Sequence, residues 1–478
     1  MSAQTTTPKT SKSHKTRTRR AKRRAALGGA LNQKTSGLDL SFCGGWVLSD
    51  EDYHYKRVRD PIHGFIGLSR DEYRIINTPA FMRLHLIKQL SHTYLVYPSA
   101  AHTRFEHSLG AMHVASRMCD ALGISKEDKM VVRLAALLHD IGHGPFSHLF
   151  ETVLQKSNPK MKNIHETISG MFITQDNDLD TILRNNAQLV NTIIQGDGIN
   201  DDKHSLMHSI VSGNLDADKL DYLKRDSYHL GVKYGEYDLE RIIHTLDRTV
   251  GSLPVTCVVR KGAYALENYR LSRSMMHVQV YEHHTRLAAE RMFLDSMGNA
   301  SGEGVFDPGS FVVTSSGFLE FYSTLHDASI YDKILNSKKA KISKEILTNI
   351  RERRLLKRAS QFTIEHIKNP TIRKDLSGKD PPLEKYSERI TDMANLGLPK
   401  HKVIFHKSSI QVKLYGPGDL MYTHNNENYA LSASSPLSSS NEILWFYVFG
   451  PDNEMQRKKI NDAVAKTLEF DPKSSAVV

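Results

Sequence analysis

The chain has 478 residues, of which 39% are hydrophobic and 24% charged, and its formal net charge is +11. This is the composition of an ordinary globular protein, and no apolar run approaches the roughly 18 residues that a membrane span needs. Three scattered cysteines are too few for a disulfide framework or a thiolate metal site, and the start lacks the apolar segment of a signal peptide. We therefore expect an intracellular protein, cytoplasmic or nuclear, that has no membrane partner.

Residues 1–45 are predicted to form a basic, disordered tail. Residues 1–38 contain ten lysines and arginines and no acidic residue, and subtracting these ten charges leaves a net charge of about +1 for the remainder. A segment rich in basic residues, Ser and Thr cannot build a hydrophobic core. Such a tail could bind nucleic acid without sequence preference, act as a nuclear import signal, or simply be solvated.

Helical periodicity dominates from about residue 46 to residue 295. The segments "EYRIINTPAFMRLHLIKQL" and "LGAMHVASRMCDAL" space apolar residues three and four apart, and "VVRLAALL" is apolar nearly all round, which predicts a central buried helix. Further on, "DKILNSKKAKISKEILTNIRERRLLKRAS" predicts an exposed basic helix, and "KVIFHKSSIQVKLYGPG" and "EILWFYVFGPD" predict strands. The expected fold is mainly α, with a helical core over 46–300 and a smaller α+β lobe over 301–478.

Histidines and carboxylates occur in three separate segments of the predicted core. His139 and Asp140 end the central helix, and the glycines of "IGHG" stop that helix and expose them. His107 lies on an earlier helical segment, and "NLDADKLDYLKRD" supplies carboxylates on a later one. Imidazole and carboxylate ligands together suit a first-row transition ion such as Fe, Mn, Co or Zn. One His-Asp pair is weak evidence, but three matching segments are much stronger.

Six motifs follow one another in order over roughly residues 56–290. They are "DPIHGFIGL", "IKQL", "HTRFEHSLG", "LLHDIGHGPFSH", "HE" and "DADKLDYLKRD". Together they resemble the HD-domain deoxynucleoside triphosphate triphosphohydrolases, particularly the animal enzymes that couple a SAM domain to an HD domain. The resemblance implies a helical HD core. It also implies hydrolysis of a deoxynucleoside triphosphate at the α-phosphorus, which yields a deoxynucleoside and inorganic triphosphate.

The resemblance assigns a metal centre and a group of proton-transfer residues. The metal ligands would be His107, His139, Asp140 and Asp218. The ion, Fe or Mn with Zn or Co as alternatives, would polarise a phosphoryl oxygen or activate a water, and a labile Mg ion would bridge the triphosphate. The histidines that line the reacting oxygen would be His143, His148 and His165. We expect His148 to protonate the 5′-oxygen leaving group, with His165 and Glu166 as orienting partners.

The resemblance also assigns the substrate contacts. The residues expected at the phosphates are Arg104, Lys219 and Arg273, and those expected around the sugar and base are Gln89, Leu90, Tyr222, Asp226, Tyr281 and His283. On a helix, Asp218, Tyr222 and Asp226 would share one face. Asp226 would meet the 3′-hydroxyl, and a tight wall at Gln89 and Leu90 would exclude a 2′-hydroxyl. Tyr281 would stack on the base or flank it.

Three of the candidate allosteric residues depart from the family pattern, and the other four could still contact the phosphates of a nucleotide. Those that depart are Asn77, Met82 and His85, and those that could contact phosphates are Lys56, Arg57, Arg260 and Lys261. In the animal members, a guanine nucleotide between subunits orders an active tetramer, and an Asp, a Gln and an Arg read it. The matching residues here are Asn77, Met82 and His85, which offer neither a carboxylate nor a guanidinium. We expect a homo-oligomer, dimer or tetramer, that is constitutively active or activated by a nucleotide other than GTP.

Two alternative functions remain open from the sequence. Another HD-class phosphohydrolase, such as a nucleotide phosphatase or a phosphodiesterase, would keep the metal ligands but would not need Gln89, Lys219, Tyr222 and Asp226. A nucleic-acid-binding protein would use the tail and the basic run at 351–358, but it would not need an intact ligand set.

Overall fold

A computed structural model describes residues 55–378, 381–411, 419–433 and 442–470. The predicted basic tail lies outside the described residues. Within the described part of the chain, no helix is both long enough and apolar enough to cross a bilayer.

A β-hairpin and two short helices begin the described chain. They are β1 (Lys56–Asp60), β2 (Gly64–Leu68), α1 (Arg70–Ile76) and α2 (Pro79–Met82), with β1 and β2 antiparallel. Ser69 and Glu72 form a capping box at the start of α1. Glu72 is fully buried and pairs with Arg133 at 2.7 Å. This buried ion pair ties the N-terminal segment to the helical core.

The helical core follows. Its helices are α3 (Arg104–Ala121), α4 (Lys126–Leu138), α5 (His148–Ser157), α6 (Ile164–Gln175), α7 (Asn177–Leu183), α8 (Ala187–Gln195), α9 (Asp202–Val211), α10 (Ala217–Leu230), α11 (Leu239–His244), α12 (Ala263–Met276) and α13 (His284–Gly302). All residues from 130 to 138 in α4 are buried, as the apolar run predicts for a central helix. The mainly α fold class is confirmed.

Six further helices and seven strands complete the described part of the chain, of which β3 and β4 lie between α11 and α12 and the others follow α13. These elements are α14 (Phe318–Ser323), α15 (Asp327–Asn336), α16 (Ile342–Arg351), α17 (Pro370–Ser377), α18 (Leu383–Ala394), α19 (Glu454–Leu468), β3 (Leu246–Arg248), β4 (Thr256–Val259), β5 (Lys357–Thr363), β6 (Ile404–Gln411), β7 (Met421–His424), β8 (Glu427–Ala430) and β9 (Glu442–Gly450). Strands β5, β9 and β6 form an antiparallel sheet, and a hydrophobic cluster covers it with Phe362, Phe446 and Val464. This part is the predicted α+β lobe.

Contacts cross the position near residue 300 where the lobe was expected to begin. Strand β7 pairs in parallel with β4 of the core, in a four-stranded sheet of order β3-β4-β7-β8. Tyr322 of α14 donates a hydrogen bond to the carbonyl of Gly142 at 2.9 Å. The described residues on both sides of the boundary belong to one compact unit.

The basic stretch at 332–360 differs from its prediction. Instead of one exposed helix it forms the end of α15, all of α16 and the start of β5. Arg353 has a positive φ of 58°, which ends the helical run, and Leu355 and Leu356 are buried directly after it. The helix prediction fails because burial of these two leucines, which periodicity did not reveal, draws the chain into the sheet.

Candidate active site

Four side chains from three helices converge at one point. His107 lies in the first turn of α3, His139 and Asp140 directly follow α4, and Asp218 lies in the first turn of α10. The Nε2 atom of His107 is 3.0 Å from Asp218 Oδ1 and 3.5 Å from Asp140 Oδ2. The Nε2 atom of His139 is 3.3 Å from Asp140 Oδ1 and 3.6 Å from Asp218 Oδ1. The structure thus brings together all four predicted metal ligands.

The two imidazoles direct their Nε2 atoms to this point, beside the carboxylates of Asp140 and Asp218. The Nε2 atoms of His107 and His139 are buried and make no hydrogen bond to any described residue. Their Nδ1 atoms are engaged, that of His139 with the carbonyl of Ala136 at 2.7 Å and that of His107 with Asp221 at 2.8 Å. In the neutral form of each ring, a carbonyl or carboxylate that accepts from Nδ1–H leaves a lone pair on Nε2. Two such lone pairs beside two carboxylates fit a transition-metal ion.

Asp221 supports this cluster, although the sequence analysis did not single it out. It is fully buried and accepts from the Nδ1 atom of His107, from Nε2 of His63 at 2.7 Å, and from both Nε and Nη2 of Arg225 at 2.8 and 2.9 Å. Burial alone would raise the pKa of Asp221, but Arg225 and the hydrogen bonds hold that pKa well below its usual range. Its spacing from Asp218 and Arg225 on one helix was the signal available in the sequence.

Arg104 pairs with Asp140 in the structure. It donates from Nη1 to Asp140 Oδ2, and from Nε to the hydroxyl of Ser147 at 2.7 Å. Burial would raise the pKa of Asp140, but Arg104 and the imidazoles of His139 and His143 outweigh it and hold the pKa well below its usual range. Asp140 is therefore ionised.

A second cluster joins three histidines around Glu151. The carboxylate of Glu151 contacts Nδ1 of His148 at 2.7 Å and Nδ1 of His165 at 2.9 Å. The ring of His143 stacks on that of His165 at a centroid distance of 4.2 Å. Burial would raise the pKa of Glu151, but hydrogen bonds from His148 and His165 lower it well below its usual range. Glu151 is thus ionised, and both imidazoles donate to it.

The carboxylate that orients these histidines is Glu151 rather than the expected Glu166. Among the described residues, no contact joins the Glu166 side chain to His148 or His165. Glu151 lies three residues after His148 on α5, which places both on one face of the helix. His143 links the two clusters, because its Nε2 is 3.2 Å from Asp140 and its Nδ1 is 3.7 Å from Glu151.

The predicted phosphate, sugar and base contacts other than Gln89, Leu90 and Arg104 lie on α10, on α12 or shortly after α12. Lys219 contacts Asp216 at 2.5 Å and the carbonyl of Gly213 at 2.9 Å. Burial would lower the pKa of Lys219, but Asp216 and Asp218 raise it above its usual value, so the ammonium stays charged. Arg273 hydrogen-bonds to Tyr222, whose ring is 6.3 Å from that of Tyr281.

Asp226 has both oxygens engaged. It contacts Nε2 of His102 at 2.7 Å and the hydroxyl of Tyr281 at 2.6 Å, and it is fully buried. A 3′-hydroxyl would therefore have to share or displace one of these partners. Gln89 is better prepared for a ligand, since its Oε1 atom is buried and accepts no hydrogen bond from any described residue. Leu90 and His283 are partly buried.

The candidate allosteric residues do not meet within one chain. Arg260 and Lys261 line a cavity of about 1510 Å³ together with Lys203, Arg248 and His424. None of Lys56, Arg57, Asn77, Met82 and His85 is among the residues that line it. His85 instead stacks on Phe105 at a centroid distance of 3.6 Å.

Two known protein families and several relatives match this chain. Residues 104–196 match the HD domain and residues 237–440 match the HD associated region. An uncharacterized protein of Methanocaldococcus jannaschii is 39% identical over 50% of this chain and 48% of its own length. The deoxynucleoside triphosphate triphosphohydrolase SAMHD1 of Homo sapiens is 32% identical over 63% of this chain and 54% of its length. The SAMHD1 homolog of Dictyostelium discoideum is 30% identical over 66% and 63%.

A solved structure supports the fold. The crystal structure of a hypothetical protein from Aquifex aeolicus, 27% identical, superposes with a TM-score of 0.67 over 85% of this chain and 99% of that one. The chain spans about half the length of the first curated relatives that it matches. Two segments of the chain thus match the HD domain and the HD associated region. Among HD-domain proteins, the chain is similar to the deoxynucleoside triphosphate triphosphohydrolases.

Proposed function

We propose that the protein hydrolyses deoxynucleoside triphosphates to a deoxynucleoside and inorganic triphosphate. The observation that carries this proposal is the meeting of two clusters at His143: the metal-ligand set of Asp140 on one side and the Glu151 set on the other. A site that holds a metal beside a proton donor can activate water for hydrolysis of a phosphate ester and can protonate the leaving group. The similarity to dNTP triphosphohydrolases supports the same substrate class.

The metal would be held by His107, His139, Asp140 and Asp218. When bound, such an ion supplies Lewis-acid polarisation of a phosphoryl oxygen or lowers the pKa of a bound water. Fe or Mn is proposed, with Zn or Co as alternatives, because the ligands mix nitrogen and oxygen. A labile Mg ion would enter with the triphosphate, since phosphate oxygens are its preferred ligands.

The protonation of the leaving group would fall to His148. Its side chain is 72% exposed, so the imidazole can regain a proton from solvent. The carboxylate of Glu151 accepts from Nδ1 of His148, which orients the ring and leaves Nε2 to face the 5′-oxygen. His165 holds Glu151 from the opposite side. The proton would then travel from His148 to the departing deoxynucleoside.

The cationic side chains would neutralise the triphosphate. Arg104, Lys219 and Arg273 are at least partly buried and each has a protein partner. Phosphate oxygens would replace some of these partners, and a guanidinium offers them a bidentate contact. The buried Oε1 atom of Gln89 gives the sugar wall a polar contact point. Homo-oligomer formation and nucleic-acid binding through the basic tail stay predictions of the sequence.

Product analysis tests this function. Purified protein should be incubated with Mn and Mg and with each of the four deoxynucleoside triphosphates in turn, and the products separated by chromatography. We expect a deoxynucleoside and inorganic triphosphate. Release of orthophosphate from a nucleoside monophosphate instead would favour a phosphatase, and cleavage of a phosphodiester would favour a phosphodiesterase.

The metal assignment has its own test. His139→Ala and Asp140→Ala should each abolish bound metal and turnover, while the circular dichroism of the helices persists, because the ligands lie at the end of α4 rather than in its packed body. Metal content is read by elemental analysis. Full turnover by a metal-free double variant would refute the assignment.

A further inference from the structure

The segment that leads into His148 has an unusual backbone. Phe146 and Ser147 have φ values of 60° and 59°, in the left-handed region that non-glycine residues rarely adopt. Such a conformation persists only where surrounding contacts fix it. His148 follows directly as the first residue of α5. The direction of the His148 side chain therefore depends on whatever holds residues 146 and 147.

One carboxylate from a distant helix holds this segment. Asp327, the first residue of α15, accepts the backbone N–H of Phe146 on Oδ1 at 2.7 Å. Its Oδ2 accepts the backbone N–H of Lys88 at 3.1 Å. Asp327 is 5% exposed, so water competes little for either oxygen. The side chain thus bridges two backbone segments that lie 58 positions apart in the sequence.

A second bridge connects the same two segments. The hydroxyl of Ser147 donates to the carbonyl of Lys88 at 2.8 Å and accepts from Nε of Arg104 at 2.7 Å. Lys88 is therefore fixed at both its N–H and its carbonyl. The residues that follow it are Gln89 and Leu90, which are expected at the deoxyribose.

We propose that Asp327 is a positioning residue, whose carboxylate sets the distance between the sugar-contacting segment at Lys88 and the segment that presents His148. The catalytic consequence rests on the proposed function, but the bridge itself does not. Asp327 lies outside the HD domain match at 104–196 and inside the HD associated region. That region would then serve the HD domain by holding its catalytic segment in place.

Amide hydrogen exchange tests the bridge without any substrate. Asp327→Asn keeps the volume, but its amide can accept only one of the two N–H groups and turns an NH₂ toward the other. We expect faster exchange in the segments around residues 86–90 and 144–150, and unchanged exchange elsewhere. The matched control is Asp332→Asn, an exposed aspartate on the same helix, which should exchange like the natural protein. Unchanged exchange in the two segments, or an equal rise throughout the chain, would overturn the proposal.

Kinetics test the catalytic consequence. A displacement of about 1 Å at a reacting group can lower turnover roughly 100-fold, so we expect kcat of Asp327→Asn to fall roughly 10- to 100-fold. Because the effect would act through His148, the same change in a His148→Ala background should cost much less. If the fold-loss of kcat in the double variant equals the product of the two single losses, this role is overturned. Asp332→Asn should retain the natural kcat.

A second variant tests the same proposal if Asp327→Asn does not fold. Asp327→Glu retains the charge and both acceptors but displaces them by one methylene. It should fold, show raised exchange in the same two segments and lose kcat, whereas a role in charge alone predicts natural values. If the natural protein releases no triphosphate from any deoxynucleotide, the proposed function fails. The exchange experiment would still decide whether Asp327 positions the two segments.

Discussion

Glu151 is the carboxylate that contacts both His148 and His165. Glu151→Gln leaves one amide oxygen where two carboxylate oxygens contact His148 and His165, so one ring loses its orienting acceptor. We expect kcat to fall by at least about 100-fold, the lower end of the usual contribution of general acid catalysis. The KM should change less, because Glu151 touches histidines rather than the predicted phosphate contacts. The measurement is triphosphate release at several substrate concentrations.

Glu166→Gln is the natural comparison for this variant. Glu166 is the orienting carboxylate predicted from the sequence. In the structure, its side chain makes no hydrogen bond or ion pair with either imidazole. We therefore expect a smaller loss of kcat than for Glu151→Gln. Equal losses in the two variants would contradict the arrangement seen here and restore Glu166 to the orienting role.

His92 makes stability depend on pH. Burial, together with Lys88 and Arg286, lowers its pKa from 6.5 to about 3. The unfolded chain therefore binds a proton here before the folded one does, so this group costs stability as pH falls from about 6.5 toward about 3. At about pH 5 the cost is about 2 kcal/mol. His92→Phe, which can still stack on Phe146, should remove this part of the acid destabilisation.

The test of His92 is the slope of unfolding free energy against pH, rather than the stability at one pH. Urea titrations between about pH 5 and pH 8 should show a shallower acid decline for His92→Phe than for the natural protein. His244→Gln, at an exposed histidine of α11, is the control and should keep the natural slope. An unchanged slope in His92→Phe would show that His92 does not carry the effect.

At the residue scale, the sequence predicted those site residues that belong to a local sequence motif. His107, His139, Asp140 and Asp218 each belong to a recognisable motif, and the structure brings them together. Glu166 was predicted as the orienting carboxylate because it adjoins His165, and Glu151 was missed because its contact with His165 joins two different helices. Asp327 could not be found at all, since it bridges Phe146 and Lys88 through backbone groups that carry no residue identity.

The packing of α3 against α10 leaves no room for a side chain at Gly110. A Cβ atom there would lie 2.0 Å from Asp221 Oδ1 and 2.3 Å from Arg225 Nη2. Gly110→Ala should therefore lower the free energy of unfolding by about 1–3 kcal/mol. It should also lower metal affinity, because Asp221 orients His107. Thermal unfolding and the bound metal per chain are the measurements.

Gly298→Ala gives the control for this variant. Gly298 also lies within a helix, α13, but its Cβ would meet only Lys156 Nζ at 3.8 Å. Alanine is a better helix residue, so stability should rise by about 0.5–1 kcal/mol with metal content unchanged. If both substitutions have the same sign, the close approach at Gly110 is not what limits α3 and α10.

Elements with a strong pattern were predictable, and elements set by distant contacts were not. Nine consecutive buried residues in α4 reproduce the apolar run, and β6 and β9 lie within the two predicted strand segments. The 332–360 stretch failed because its basic residues suggested one solvated helix. The burial of Leu355 and Leu356 depends on α13 and the sheet, because the N–H of Leu356 contacts Met292. Burial by distant contacts does not produce a periodic spacing of apolar residues in a short segment.

At the scale of the whole molecule, the chain after residue 300 is part of the active site's support. Tyr322 and the carbonyl of Leu325 contact the loop around Gly142 and the Arg83 side chain that braces it. Arg83 donates to the carbonyls of Ile141 and His143 at 2.7 and 2.8 Å. Hydrogen bonds at the loop around Gly142 therefore join the two predicted domains, which composition along the chain cannot reveal.

Regulation by GTP, as in the animal members, should be weak or absent in this protein. The amide of Asn77 donates to the carbonyl of Tyr73 at 2.7 Å, Met82 is 44% exposed, and His85 stacks on Phe105. None of these three side chains offers the carboxylate or guanidinium that guanine and its phosphates require. One lost bidentate base contact is worth about 1–3 kcal/mol by analogy with base readout, so preference for guanine over other bases should be largely lost.

The measurement is deoxynucleotide hydrolysis with and without added GTP, together with oligomer mass by light scattering. We expect the same rate and the same mass in both, or activation by a nucleotide with another base at Arg260 and Lys261. A triple variant, Asn77→Asp, Met82→Gln and His85→Arg, restores the family's residue types and should gain a response to GTP. Strict dependence of the natural protein on GTP, with tetramer formation, would contradict the inference, because guanine would then be read by residues other than these three.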